Sequence, residues 1–223
     1  MLSKRIPSLL KMKPLEELPA FAPADFFQFK CELLQVTKGK KITSSKWQLP
    51  DSSALLDEPS HASVYAGWNL EGLFFHFDIE KPYQNSYFPE YHRGDCVELF
   101  IDTRDLKSSS IFTRFCHHFV FFAKAEGEVV SQEVTRFRGD DRHPLCDPAD
   151  LEVTAELHRR SYELKIFIPP QCLNGYDPTS FDRLGLTYKI NYDGGEMEDF
   201  IFSSKRYDLR HPNLWATCQL KRQ

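Results

Sequence analysis

The sequence predicts an all-β domain, an antiparallel β-sandwich of immunoglobulin- or jelly-roll-like two-sheet architecture, and three observations carry that prediction. Short runs rich in β-formers recur at close, regular spacing with turn residues between them. No long segment shows helical periodicity. The 19 phenylalanines and 9 tyrosines suit pleated, half-buried surfaces. At 223 residues the chain can bury a core without covalent staples.

Taken in order, residues 1–23 are interrupted by Pro7, Pro14, Pro19 and Pro23 and read as an extended arm, with one domain over 24–223. Residues 25–36 alternate Phe26, Phe27, Phe29, Leu33, Leu34 and Val36 in a strand-like way, and 46–60 read as loop around Pro50, Pro59 and the Asp51-Ser52-Ser53 cluster. Hairpins follow: 62–68 with 73–79 around Asn69-Leu70-Glu71-Gly72, 115–124 with 128–135 around Glu126-Gly127, and 152–158 with 162–168 around Arg159-Arg160-Ser161. After Pro169-Pro170 and a polar loop, strands at 184–192 and 214–220 close the chain.

Composition excludes several classes of function. The formal charge of −4 gives no overall footprint for nucleic acid, and the basic groups Lys38-Lys40-Lys41 and Arg136-Arg138-Arg142 read as solvated loops. No apolar run approaches a membrane span. The six cysteines form no C-x-x-C pair, so zinc-ribbon and thioredoxin spacings are missing. Leu9-Leu10 is cut off by Lys11 and Lys13, which leaves no signal-peptide core, and a reduced, cytoplasmic protein is expected.

The segment Gly94-Asp95-Cys96-Val97-Glu98-Leu99-Phe100-Ile101-Asp102 alternates hydrophobic and acidic residues, as in a strand with one wet face. Val97, Leu99 and Ile101 point one way, and Cys96, Glu98, Phe100 and Asp102 the other. A carboxylate in mid-strand on a face shared with a phenyl ring marks a candidate polar binding surface.

With this segment, Trp68-Asn69-Leu70-Glu71-Gly72-Leu73-Phe74-Phe75-His76-Phe77-Asp78, Tyr162-Glu163-Leu164-Lys165-Ile166-Phe167-Ile168-Pro169, and Lys189-Ile190-Asn191-Tyr192-Asp193 followed by Arg210-His211-Pro212-Asn213-Leu214-Trp215 resemble, in order and spacing, the family 9 carbohydrate-binding modules and the wider DOMON-like β-sandwiches. The resemblance implies a non-catalytic module that holds a sugar between aromatic rings beside a few polar groups. It places Glu98 at the family's sugar-binding glutamate, with Arg93 leading into it and His118 near the family's other polar contact. His92 and Leu209 stand near the positions of the two clamping tryptophans, and Trp215 resembles an inward-packing closing-strand residue. Tyr83, Tyr87, Phe88 and Tyr91 offer a substitute clamp, whereas Trp47 and Trp68 read as core anchors.

The candidate ligand-binding residues are therefore Glu98, Arg93, His92, Tyr91 and His118. The expected partner is a carbohydrate or, if the sugar site has been lost, a protein; nucleic acid and membrane are not expected. His117-His118 attracts a haem or metal reading, but adjacent strand residues face opposite sides, and by sequence order only His76 or His92 is near enough to complete a pair. No cofactor or metal is expected from the residues. Family members carry structural calcium, for which Asp78, Asp95, Asp102 and Asp193 are the candidate acids. There is no G-x-S-x-G elbow, H-E-x-x-H pair, phosphate loop or dinucleotide fingerprint. Glu98 and Asp102 would stand about 13 Å apart along a strand, too far for a glycosidase pair. No catalysis is expected.

Overall fold

A computed structural model describes residues 29–37, 41–53, 57–201 and 209–222. The arm expected over 1–23 lies outside the described residues. The strands are β1 (Lys30–Gln35), β2 (Ala62–Asn69), β3 (Gly72–Ile79), β4 (Cys96–Asp102), β5 (Cys116–Glu126), β6 (Val129–Glu133), β7 (Glu152–Leu157), β8 (Tyr162–Ile168), β9 (Arg183–Asn191), β10 (Met197–Asp199) and β11 (Ala216–Lys221). Only short 3-10 turns accompany them among the described residues, so the protein is all-β as predicted. Each hairpin read from the sequence forms.

The strands differ from the expected sandwich in how they are joined. They form one 11-stranded sheet in the order β6-β5-β4-β9-β11-β1-β2-β3-β8-β7, with β10 paired to β9, rather than two separate sheets. The link is β1, which pairs parallel with both β11 and β2, so the sheet is not wholly antiparallel. The sheet folds back on itself, and Trp68, Phe75, Phe77 and Ile166 share a core with Val97, Leu99, Phe119, Leu186 and Ile190. Burying apolar surface from both halves stabilises the curl, at about 25 cal/mol for each Å² removed from water.

Local chemistry sets the hairpin registers. At the β2–β3 turn Asn69 pairs with Gly72, and the Asn69 side chain accepts the Glu71 N–H at 2.7 Å. Gly72 has a φ of 140°, and a Cβ there would lie 2.2 Å from the Ile168 carbonyl oxygen, so the neighbouring strand leaves room only for glycine. Trp68 and Trp47 are buried as expected, with the Trp68 indole N–H donating to the Leu33 carbonyl at 2.9 Å. The β10 strand gave no sequence signal, because three residues with two acids are too short to show a period.

Candidate functional site

β4 lies between β5 and β9, and the pleat fixes which side chains meet on its second face. Glu98 stands opposite Val120 and Lys189, Phe100 opposite His118, and Cys96 opposite Asn191. Diagonal neighbours on one face of a sheet lie within reach of long side chains. His118 and Asn191 are both such neighbours of Glu98, and both close on it. His118 Nε2 is 2.8 Å from Glu98 Oε2, and the Asn191 amide donates to Oε1 at 2.7 Å. Burial alone would raise the pKa of Glu98. The His118 hydrogen bond and charge, the Asn191 amide and the Lys189 charge outweigh it and hold the carboxyl below its ordinary value.

This face is not wet. Every residue of β4 is buried, so the expectation of one solvated face is corrected. Two groups of rings cover it. Phe100, Phe112, Cys116 and Trp215, with Leu209 and Phe137, lie on one side of Glu98, and Cys96, Val120 and Phe122, with Phe88 and Tyr91, on the other. Trp215 thus belongs to the layer outside the sheet instead of the main core, with its ring 5.8 Å from Phe100 and its indole N–H on the Leu209 carbonyl. His118 is wedged between them, stacked on Phe100 at 4.0 Å and edge-on to Tyr91 at 6.0 Å.

The predicted site residues divide into two sets. Glu98, His118 and Tyr91 come together, with Tyr91 half-buried in the 3-10 turn Tyr91–Arg93. His92 and Arg93 are exposed at its edge: the His92 ring lies 6.0 Å from Tyr91, and the Arg93 guanidinium sits over the Tyr87 ring at 5.4 Å. Gly94 lets this turn lie close, since a Cβ there would meet the Asn85 carbonyl at 2.4 Å. Of the other loop rings, Phe88 packs on Phe122 and Tyr83 on Tyr162, both as anchors. Asn191 was missed in the sequence, although its placement two residues beyond Lys189 on the neighbouring strand is the same alternation that singled out Glu98.

Among the described residues the four acids named for calcium form no common cluster, although Asp95 and Asp193 are neighbours. Asp102 accepts the backbone N–H groups of Arg104 and Leu106, and Asp95 those of Gln84 and Asp193, so both carboxylates tie down turns. Neither His76 nor His92 completes a pair with His117. The structure instead brings His143, from the segment after β6, to the far side of β5, where His117 and His143 share Glu133. An open groove of about 700 Å³ lies elsewhere, over β3, β7 and β8, flanked by Phe74, Phe167, His76, Glu163 and Lys165.

No family model and no curated protein matches the chain. Solved structures do. A carbohydrate binding module family 9 from Caldicellulosiruptor kristjanssonii in complex with cellotriose superposes with a TM-score of 0.59 at 11% identity, covering 87% of this chain and 94% of that one. The module from the same organism in complex with glucose gives 0.57 at 13% identity, over 87% and 95%. The chain therefore has the fold of the family 9 carbohydrate-binding modules.

Proposed function

We propose that the protein is a non-catalytic binding module for a carbohydrate, with its site on the β4–β5–β9 face at the Tyr91–Arg93 turn. The observation that carries this reading is a carboxylate, Glu98, held ionised by two fixed partners between two groups of rings. Each carboxylate oxygen accepts up to two hydrogen bonds, so Oε1 and Oε2 each keep one position for a sugar hydroxyl. Tyr91 and His92 supply the ring platform, Arg93 a polar contact at the rim, and His118 the floor. Neighbours of the same fold hold cellotriose and glucose, which supports this ligand class. A reducing, cytoplasmic setting belongs to the same proposal and rests on the sequence.

Calorimetric titration with glucose, cellobiose and cellotriose tests the reading. Losing a charge-assisted hydrogen bond costs about 1.5–3 kcal/mol, so Glu98→Gln should weaken binding roughly 10- to 100-fold. Heat that is unchanged in Glu98→Gln rejects this site, and heat lost instead in Phe74→Ala moves it to the groove over β3, β7 and β8.

A second reading, a protein-interaction module that keeps the fold without a sugar site, is favoured by one fact. Both Glu98 oxygens already have partners inside the protein. Silence toward all three sugars, with one stoichiometric protein recovered from native extract, selects it.

A further inference from the structure

We propose that His117, Glu133 and His143 bind one divalent transition-metal ion of the zinc class, which clamps the chain after β6 onto β5. His117 projects from β5 away from His118, Glu133 ends β6 opposite Phe119, and His143 arrives from the following segment. Their ligand atoms all lie within 4.8 Å of one another, and all three side chains are buried.

Proton accounting argues for an ion. His143 Nδ1 lies 2.6 Å from the Arg114 carbonyl oxygen, which can only accept, so Nδ1 carries the hydrogen. With that hydrogen on Nδ1, a neutral ring would aim its Nε2 lone pair at Glu133 Oε1, 2.9 Å away. The same oxygen has His117 Nδ1 at 2.9 Å and the Thr135 hydroxyl at 2.7 Å, three partners for two lone pairs. Glu133 Oε2 is taken by the Cys146 N–H at 2.8 Å.

His117 adds an independent sign. Its Nε2 is sealed from solvent with no hydrogen-bond partner among the described residues, so the Nδ1 contact to Glu133 is the one polar contact that fixes this buried ring. A cation between the rings and the carboxylate relieves the crowding at Glu133 Oε1. It also explains the His143 N–H on a backbone carbonyl, the outer contact that metal-bound imidazoles usually make.

Two imidazoles and a carboxylate suit zinc, whose bonds of about 2.0–2.2 Å in a tetrahedron separate ligand atoms by roughly 3.3 Å. The observed 2.9 Å contacts need to open by only a few tenths of an ångström. Cys146, whose thiol interacts with Glu133 and Cys172, is a soft donor beside the three but outside their close group. A site so enclosed is structural.

The test uses the whole chain, stripped with a chelator and titrated with zinc sulfate. Expected are about one zinc per chain by elemental analysis, a rise in unfolding midpoint of roughly 5–10 °C at hundredfold excess over Kd, and tetrahedral cobalt absorption on cobalt loading. His143→Gln should weaken zinc binding at least tenfold. Should that variant fail to fold, the wild-type metal content and midpoint decide alone. An unmoved midpoint with no zinc retained, or zinc held equally by His143→Gln, overturns the proposal.

Discussion

The two faces of β5 repeat one piece of chemistry in two settings. His118 bonds Glu98 on one side and His117 bonds Glu133 on the other, at 2.8 and 2.9 Å. The first pair keeps 12% and 8% of its side-chain surface exposed, and the second only 1% and 0%. Exposure decides what each can do. A pair that keeps some exposure can exchange an internal partner for a ligand hydroxyl, whereas a sealed pair is out of a sugar's reach. The sealed pair also recruits a second imidazole, Thr135 and a backbone N–H, and so holds together segments distant in sequence.

The largest expected contrast comes from deleting each acid. Glu133→Ala should cost about 3–5 kcal/mol, because it strands buried polar groups on several segments. Glu98→Ala should cost about 1–3 kcal/mol, since water reaches its partners more easily. Urea unfolding of both variants checks the order, and equal losses would break the distinction between the sealed and the partly exposed pair.

Acid sharpens the comparison further. Glu98 titrates below its unfolded value near 4.3, so its contribution is present above that pH and is lost as pH falls through the lowered folded value. The stability gap between wild type and Glu98→Gln should therefore be constant near neutrality and shrink below about pH 4. A gap that widens in acid would mean the carboxyl is protonated in the fold. The smallest effect belongs to the exposed edge. Arg93→Ala removes one stacking contact on Tyr87, worth about 0.5–1 kcal/mol, and its thermal midpoint should barely move.

Much of the fold was legible because turn residues and period-two alternation are local. Asn69-Leu70-Glu71-Gly72 announced its hairpin, and Val97, Leu99 and Ile101 announced the core side of β4. The parallel pairing of β1 was not, since nothing in 30–35 records which strands will flank it. Glu98 stood out by alternation, and Asn191 carried the same signal unread. The expected wet face failed because rings from outside β4 cover it, Phe112 from the β4–β5 loop and Trp215 from just before β11.

The sequence by itself determined the strands other than β10, the hairpin turns and the opposite facing of His117 and His118, because backbone sterics and the pleat act between neighbours. Only the tertiary structure decided that the strands share one curled sheet, that Glu98 is enclosed, and that His143 rather than His76 or His92 meets His117. Those outcomes depend on long loops closing around a common core. The free energy of that closure comes from surfaces brought together across the whole chain, which no local pattern encodes.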